Sequence, residues 1–69
     1  MPERYPLLAV LDLLETAKRP NDMDFPGFEL HPLKGDKYGY WSVTVRANWR
    51  ITFEFENDNV INVDYEDYH

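Results

Sequence analysis

Cysteine is missing from this 69-residue sequence. Its absence excludes disulfide bonds, thiolate metal sites and cysteine nucleophiles, and it fits a reducing compartment. No apolar run approaches the roughly 18 residues that a membrane-spanning helix needs, and the N-terminus lacks the basic-then-apolar order of a signal peptide. We therefore expect a soluble cytoplasmic protein that does not bind membranes.

Glycine is scarce, and the common catalytic motifs are absent. Gly27, Gly35 and Gly39 have neither the spacing nor the following helix of a phosphate-binding loop. The only histidines, His31 and His69, are far apart, and no HExxH, EF-hand or GxSxG pattern occurs. The sequence therefore predicts no metal site and no cofactor.

An excess of positive charge is also lacking. The 13 acidic residues outnumber seven Lys and Arg, for a net charge of −6, which argues against loose binding to nucleic acid. The segment from His31 to Arg50 differs, because it holds four basic residues and only one acidic residue. The acidic excess lies at the two ends of the chain.

The length predicts one domain, residues 1–69, with no room for a second folded unit. A chain of this size buries only about 60% of the surface that its unfolded form exposes, so its core is marginal. Aromatic residues make up 16% of the sequence, which argues against disorder.

The spacing of apolar residues predicts an N-terminal helix with Pro6 in its first turn and Pro20 beyond its end. Its apolar face comprises Leu7, Val10, Leu11, Leu14 and Ala17. Lys18 and Arg19 are expected to complement the C-terminal end of the helix dipole. Phe25 is expected to anchor the following connector to the core.

From Phe28 onward the period changes to two, which predicts four antiparallel strands. These are a short strand at 28–32, a hairpin of 41–47 and 49 to about 55, and a last strand at 60–65, with reversals at 47–48 and 57–59. Trp41 and Trp49 are expected in the core, Ser42 and Thr52 on the exposed face. The side chains expected to share one face of the last strand are Ile61, Val63 and Tyr65. The predicted fold class is α+β, with the helix covering one face of the sheet.

A set of polar residues lies near the predicted strand ends and on the polar face of the hairpin. RNA can be cleaved when its 2′-OH attacks the adjacent phosphate. This reaction needs a base for the 2′ proton, an acid for the leaving oxygen and cations that stabilise the charge on the phosphorane, and it needs no metal. The set could supply these groups, with an aromatic residue stacking on a base. It comprises His31, Lys34, Arg46, Arg50, Asp67, Tyr68 and His69.

Each of these residues taken singly has a structural interpretation. His31 fits a surface histidine, Lys34 and Lys37 fit a solvated loop, and a C-terminal residue is usually frayed. Arg46 and Arg50 fit cross-strand pairs with Glu54 or Glu56. For each of these residues taken singly, composition and spacing favour the structural interpretation.

The strings LHPLKGDKYGYWSVTVRANWRITFEFE (30–56) and VDYEDYH (63–69) resemble HigB-type killer proteins of the RelE toxin superfamily. The resemblance extends from Pro26 to the last residue, and the preceding helix fits more loosely. It implies a ribosome-dependent mRNA endonuclease that cuts translated messages in the A site. It also implies a HigA-like helix-turn-helix antitoxin, which inactivates the toxin and forms with it the complex that represses operator DNA.

The resemblance also implies roles for individual residues. The HPLK segment carries His31, as a second acid/base or positioning group, and Lys34, for phosphate charge. The terminal Asp-Tyr-His carries Asp67 and His69, one of which transfers a proton, and Tyr68, which orients the base. The arginine of the NWRI segment is Arg50, which stabilises the negative charge on the phosphate. Lys37 and Arg46 are expected to assist it in binding RNA phosphates.

Typical members of that family begin with a strand and a basic helix, and the resemblance implies that this chain lacks both. Such a loss would leave an unpaired sheet edge and weaken ribosome binding, which draws on phosphate contacts. A second hypothesis is therefore a non-toxic relative that binds the antitoxin and modulates repression. A third is a homodimer formed through the open edge.

Overall fold

The computed structural model describes residues 6–46 and 48–67. In this part of the chain one helix precedes an antiparallel sheet whose strands follow sequence order, which confirms the predicted α+β class. Short 3-10 turns occur in the two connections, at Pro20–Met23 and Gly35–Lys37. The main elements are α1 (Leu7–Thr16), β1 (His31–Pro32), β2 (Trp41–Arg46), β3 (Trp49–Glu56) and β4 (Asn59–Asp67).

The core lies between α1 and one side of the sheet, which we call the helix face. Its side chains are almost inaccessible to solvent and form one apolar cluster. They are Val10, Leu14, Ala17, Met23, Phe28, Val43, Val45, Ile51 and Phe53. None of the described helices is long and apolar enough to span a bilayer.

The predicted apolar face of α1 is confirmed, but the helix ends earlier than expected. Ala17 already has extended backbone angles. The amides of Lys18 and Arg19 donate to Asp22 Oδ2 at 2.9 and 3.4 Å. The prediction that these two basic residues complement the dipole of α1 is therefore wrong, because the Asp22 side chain draws their backbone into the next turn.

Two further expectations before β2 need correction. The ring of Phe25 packs on the buried Phe28 ring, with 5.5 Å between their centroids, but Phe25 is 37% exposed and the fully buried anchor of the connector is Met23. The first strand contains two residues rather than five, because Glu29 has a φ of 53° and interrupts the extended backbone. The Phe28 carbonyl still accepts a hydrogen bond from the Thr44 amide at 2.7 Å.

The second side of the sheet is covered in part by the segment 33–40, and we call it the loop face. Lys37 of this segment reaches Glu66 of β4, and a Cβ on Gly39 would lie 3.5 Å from Glu54 Oε2 of β3. Ser42 and Thr52, predicted on an exposed surface, are fully buried on this face. That prediction is wrong because alternation distinguishes two faces of a sheet but does not tell which of them is covered.

The turn between β3 and β4 follows the predicted position, whereas the predicted reversal at 47–48 includes residue 47, which lies outside the described residues. Asn57 and Asp58 both have positive φ, 54° and 65°, as the two-residue turn that joins β3 and β4 requires. The two tryptophans are half-buried rather than in the core. Trp41 packs against the cluster, and the ring of Trp49 stacks on Tyr65 at 4.8 Å.

A bulge at Asn62 changes the direction of every later side chain in β4. The Cα partners shift from Glu54 and Ile61 to Thr52 and Asp64, so Asn62 and Val63 together oppose Phe53. Asn62 has a φ of 54°, and its Nδ2 donates to Glu54 Oε1 at 2.7 Å.

The bulge contradicts the predicted common face of Ile61, Val63 and Tyr65. Ile61 opposes Glu54 on the loop face, whereas Tyr65 opposes Ile51 on the helix face. Strict alternation would have continued through position 62 and directed Tyr65 to the loop face. Because of the extra residue, the loop face receives Asp64 and Glu66 instead.

We expect Asn62→Val to lower the free energy of unfolding by about 1–2 kcal/mol, because a β-branched residue is strained at positive φ. Urea denaturation measures the change. Asn62→Gly, which adopts this φ without a Cβ, should cost less than Asn62→Val. Asn59→Val is the control in the same strand, at a position without positive φ. Equal losses for Asn62→Val and Asn59→Val would contradict this account of the bulge.

Candidate active site

The loop face brings together part of the predicted site. Two cross-strand rows define it, because directly opposed residues share a face. One row runs from His31 through Ser42 and Thr52 to Asp64, and the next contains Thr44, Arg50 and Glu66. Lys37 joins the second row from the loop.

The centre of the candidate site is a three-residue ion cluster of Lys37, Arg50 and Glu66. Arg50 donates from Nε and from a terminal nitrogen to Glu66 Oε2, at 2.9 and 2.6 Å. Lys37 Nζ lies 3.7 Å from Glu66 Oε1 and 5.0 Å from the centre of the Tyr40 ring. One carboxylate is therefore shared by two cations, one from β3 and one from the loop.

The cluster is partly shielded from water, and its carboxyl group is electrostatically stabilised. The side chains of Arg50 and Glu66 are 18% and 26% exposed. The hydrogen bond from Arg50 lowers the pKa of Glu66, burial partly opposes this, and the positive charge of Lys37 lowers the pKa further. Glu66 is therefore ionised at neutral pH.

His31 and Lys34 lie at the loop side of the sheet, and both are exposed. His31 Nδ1 lies 2.8 Å from the Glu29 carbonyl. Because a carbonyl only accepts, Nδ1 carries the proton of this bond, and Nε2 of the neutral ring is then the proton acceptor. Lys34 immediately precedes the 3-10 turn that carries Lys37.

Other predicted residues are not gathered on the loop face. A register shift in β2 sets Arg46 opposite Trp49, and Asp67 opposes the same tryptophan from β4. By register these two residues belong to the side that Trp49 and Tyr65 share rather than to that of Arg50 and Glu66. Tyr68 and His69 lie outside the described residues.

The predicted pairing of Arg50 is wrong in its partner. The sequence offered Glu54 or Glu56 of the same hairpin, but Arg50 bonds Glu66 of the next strand. Glu66 was absent from the predicted site. Its place in β4 follows from the register and the bulge, so only a prediction that included both would have found it.

Ser42 and Thr52 form a second unpredicted feature. They are cross-strand partners, both are fully buried, and among the described residues neither hydroxyl oxygen has a hydrogen-bond partner. Unsatisfied buried hydroxyls cost free energy and are rare. They lie between His31 and Asp64 in one row, so the polar character of the loop face continues into its buried floor. Within residues 6–46 and 48–67 no group of three His, Asp or Glu side chains is arranged to hold a metal ion.

The sequence matches a protein family over residues 2–69, nearly its whole length. That family is described as the RelE-like toxin of the type II toxin–antitoxin system HigB. The chain belongs to this HigB-like toxin family, in agreement with the resemblance of its HPLK and DYEDYH segments.

A curated relative is the Endoribonuclease HigB of Proteus vulgaris, with which the chain is 52% identical over 59 residues. The matched segment covers 86% of this chain and 64% of the relative. The chain thus spans somewhat less than two thirds of the length of that protein.

Glu66→Gln should lower the free energy of unfolding at neutral pH by up to about 1 kcal/mol, the usual range for a partly exposed ion pair. The pKa of Glu66 in the folded state lies below its ordinary value of 4.5. Its stabilisation is therefore complete above that value and is lost as the pH falls through the folded pKa.

Urea denaturation from neutral to acidic pH measures this effect. The difference in free energy of unfolding between the original chain and Glu66→Gln should shrink below about pH 4.5. Glu56→Gln, which removes the same charge from an exposed position, is the control. A difference for Glu66→Gln that stayed constant with pH would contradict the assigned ion pair.

Proposed function

We propose that this chain is a toxin that cleaves mRNA as an endoribonuclease on translating ribosomes, in the A site. The observation that carries the proposal is its 52% identity to a protein named as an endoribonuclease. The loop face supports it with two of the predicted phosphate-binding cations side by side and with His31 on the same face.

The proposed reaction is attack of the 2′-OH on the adjacent phosphate. A base removes the 2′ proton, the 2′ oxygen bonds to phosphorus, and the bond to the 5′ oxygen breaks as an acid supplies its proton. The products are a 2′,3′-cyclic phosphate and a free 5′-OH. Proton transfer is assigned to Asp67 or His69, with His31 as a second acid/base or positioning group.

The other predicted residues hold the RNA in this scheme. Lys34 and Arg50 stabilise the negative charge on the phosphorane, and Tyr68 orients the base beside the scissile bond. Lys37 and Arg46 contribute to phosphate binding. In the described structure the guanidinium of Arg50 is paired with Glu66. To stabilise the phosphorane, it must contact the phosphate in the bound complex.

The partners proposed for this function are the ribosome with its mRNA, and a HigA-like helix-turn-helix antitoxin. Operator DNA is contacted through the toxin–antitoxin complex. Because a chain with a net charge of −6 neutralises few phosphates, few counterions are released and ribosome binding is weak.

The direct test is mRNA cleavage on programmed 70S ribosomes by the 69-residue chain, with a reaction lacking ribosomes as a control. We expect cleavage only on ribosomes, and a loss of about 100-fold or more for Lys34→Ala and for His69→Ala. Lys18→Ala, which removes an exposed cation next to α1, is the matched control and should retain activity. No cleavage by a folded sample would refute the proposal, and equal rates for all variants would refute the assigned residues.

A second candidate function, antitoxin binding without cleavage, is favoured by an apolar groove of about 330 Å³ between α1 and β4. Exposed apolar surface of this kind suits a partner's apolar side chains. The third hypothesis, a homodimer, would instead use the open edge of the sheet. The groove is lined by Leu11, Leu14, Glu15, Val60 and Val63.

Val63 tests the groove because it lines it and is 46% exposed. If the antitoxin binds there, Val63→Asp should weaken its affinity by about tenfold or more, since it buries a charge in the contact. Titration calorimetry with a HigA-like helix-turn-helix antitoxin measures this. Leu8→Asp, at a more exposed position outside the groove lining, is the control, and equal affinities for both variants would exclude the groove.

A further inference from the structure

The ion cluster on the loop face has the donor arrangement of a phosphate-binding site. Arg50 directs two N–H groups at one oxygen of the Glu66 carboxylate, and Lys37 approaches the other oxygen. A guanidinium fork together with an ammonium group is a common way to bind a phosphate. Here the chain's own carboxylate occupies the place of the anion.

The carboxylate belongs to a residue within the sheet. Glu66 is the direct cross-strand partner of Arg50, and the bulge at Asn62 is what directs Glu66 to the loop face. The two cations contribute two positive charges and Glu66 removes one of them. A phosphate that approaches Lys37 and Arg50 therefore meets a competing negative charge within contact distance of both.

We propose that Glu66 is a specificity-determining residue, an internal anion that RNA phosphate must displace from Lys37 and Arg50. This inference rests on the proposed endoribonuclease function and adds to it a reason for selectivity. Free RNA displaces the carboxylate poorly, whereas RNA presented by a ribosome at high local concentration does so readily. Glu66 thus protects free RNA from cleavage.

A role as the general base fits Glu66 poorly. The hydrogen bond from Arg50 lowers its pKa, and a carboxylate of lowered pKa accepts protons weakly. The same ionisation keeps the competing charge present at neutral pH. The pair therefore affects the substrate through competition between Glu66 and RNA phosphate for Lys37 and Arg50.

The first experiment measures RNA binding without cleavage. The probe is a short fluorescein-labelled single-stranded RNA with 2′-O-methyl groups throughout, which has no 2′-OH to attack. Binding is followed by fluorescence anisotropy between about 50 and 200 mM salt. Glu66→Gln should bind about fivefold more tightly near 0.1 M salt, and the slope of log affinity against log salt should steepen by about 0.7, as expected for one more phosphate contact.

Two further variants separate the competing charge from general effects. Glu56→Gln changes the net charge equally from an exposed position on the same strand as Arg50, and it should bind like the original chain. Glu66→Asp keeps the charge and should retain the original salt slope. The proposal is overturned if Glu66→Gln binds no more tightly than Glu56→Gln, if Glu66→Asp behaves like Glu66→Gln, or if no variant binds the probe.

The second experiment measures cleavage of mRNA on ribosomes. Glu66→Gln should lower the half-saturating protein concentration and leave the saturating rate within about twofold, because displacement affects binding rather than the chemical step. It should also raise cleavage of ribosome-free RNA. A fall in the saturating rate with unchanged half-saturation would show that Glu66 only supports Arg50, and would overturn the competition.

The two experiments distinguish the two proposals. If the original chain does not cleave mRNA on ribosomes, the proposed function fails. Tighter binding and a steeper salt slope for Glu66→Gln would still establish Glu66 as the competing anion at a phosphate site. If cleavage occurs and these binding changes do not, the enzyme assignment stands and the role of Glu66 is refuted.

Discussion

The register between β3 and β4 decides which side chains of the last strand meet the basic part of the chain. Before the bulge, Val60 opposes Phe55 on the helix face, and after it Tyr65 takes over that side. The single extra residue at Asn62 therefore reverses the two faces of the strand. Without it Glu66 would be directed toward the helix face, away from Lys37 and Arg50.

This register brings the two oppositely charged parts of the sequence into contact. The segment His31–Arg50 is basic and the end of the chain is acidic, and the pairing of β3 with β4 sets Arg50 beside Glu66. Interactions between exposed charges are screened over about 8–10 Å at physiological salt. A ligand at the loop face is therefore governed by the charges on that face more than by the acidic residues of α1. These charges belong to Lys37, Arg50, Glu54, Asp64 and Glu66.

Hydrophobic period predicted the helix and the number of strands, and the Asn and Asp residues at 57–59 predicted the turn between the last two strands. These features depend on local spacing and on residues such as Asn57 and Asp58 that tolerate positive φ. The pattern did not predict that Ser42 and Thr52 are buried or that Glu66 is the partner of Arg50. These two features depend on which segment covers the second face and on a bulge that a nine-residue strand accommodates without an evident sequence signal. Part of the candidate site was predicted by residue type and resemblance, but the carboxylate that controls its charge was not.

The same interaction that orders the loop face limits what the loop face can bind. Pairing with Glu66 holds Arg50 in a defined position and ties the loop to the sheet through Lys37. A phosphate then exchanges with an anion already in place, and its net gain is the difference between two similar interactions rather than the full attraction of two cations. An arrangement of this kind lowers the affinity for every RNA by a similar factor. Such a uniform reduction discriminates by local concentration, because RNA held near the site overcomes it and RNA in dilute solution does not.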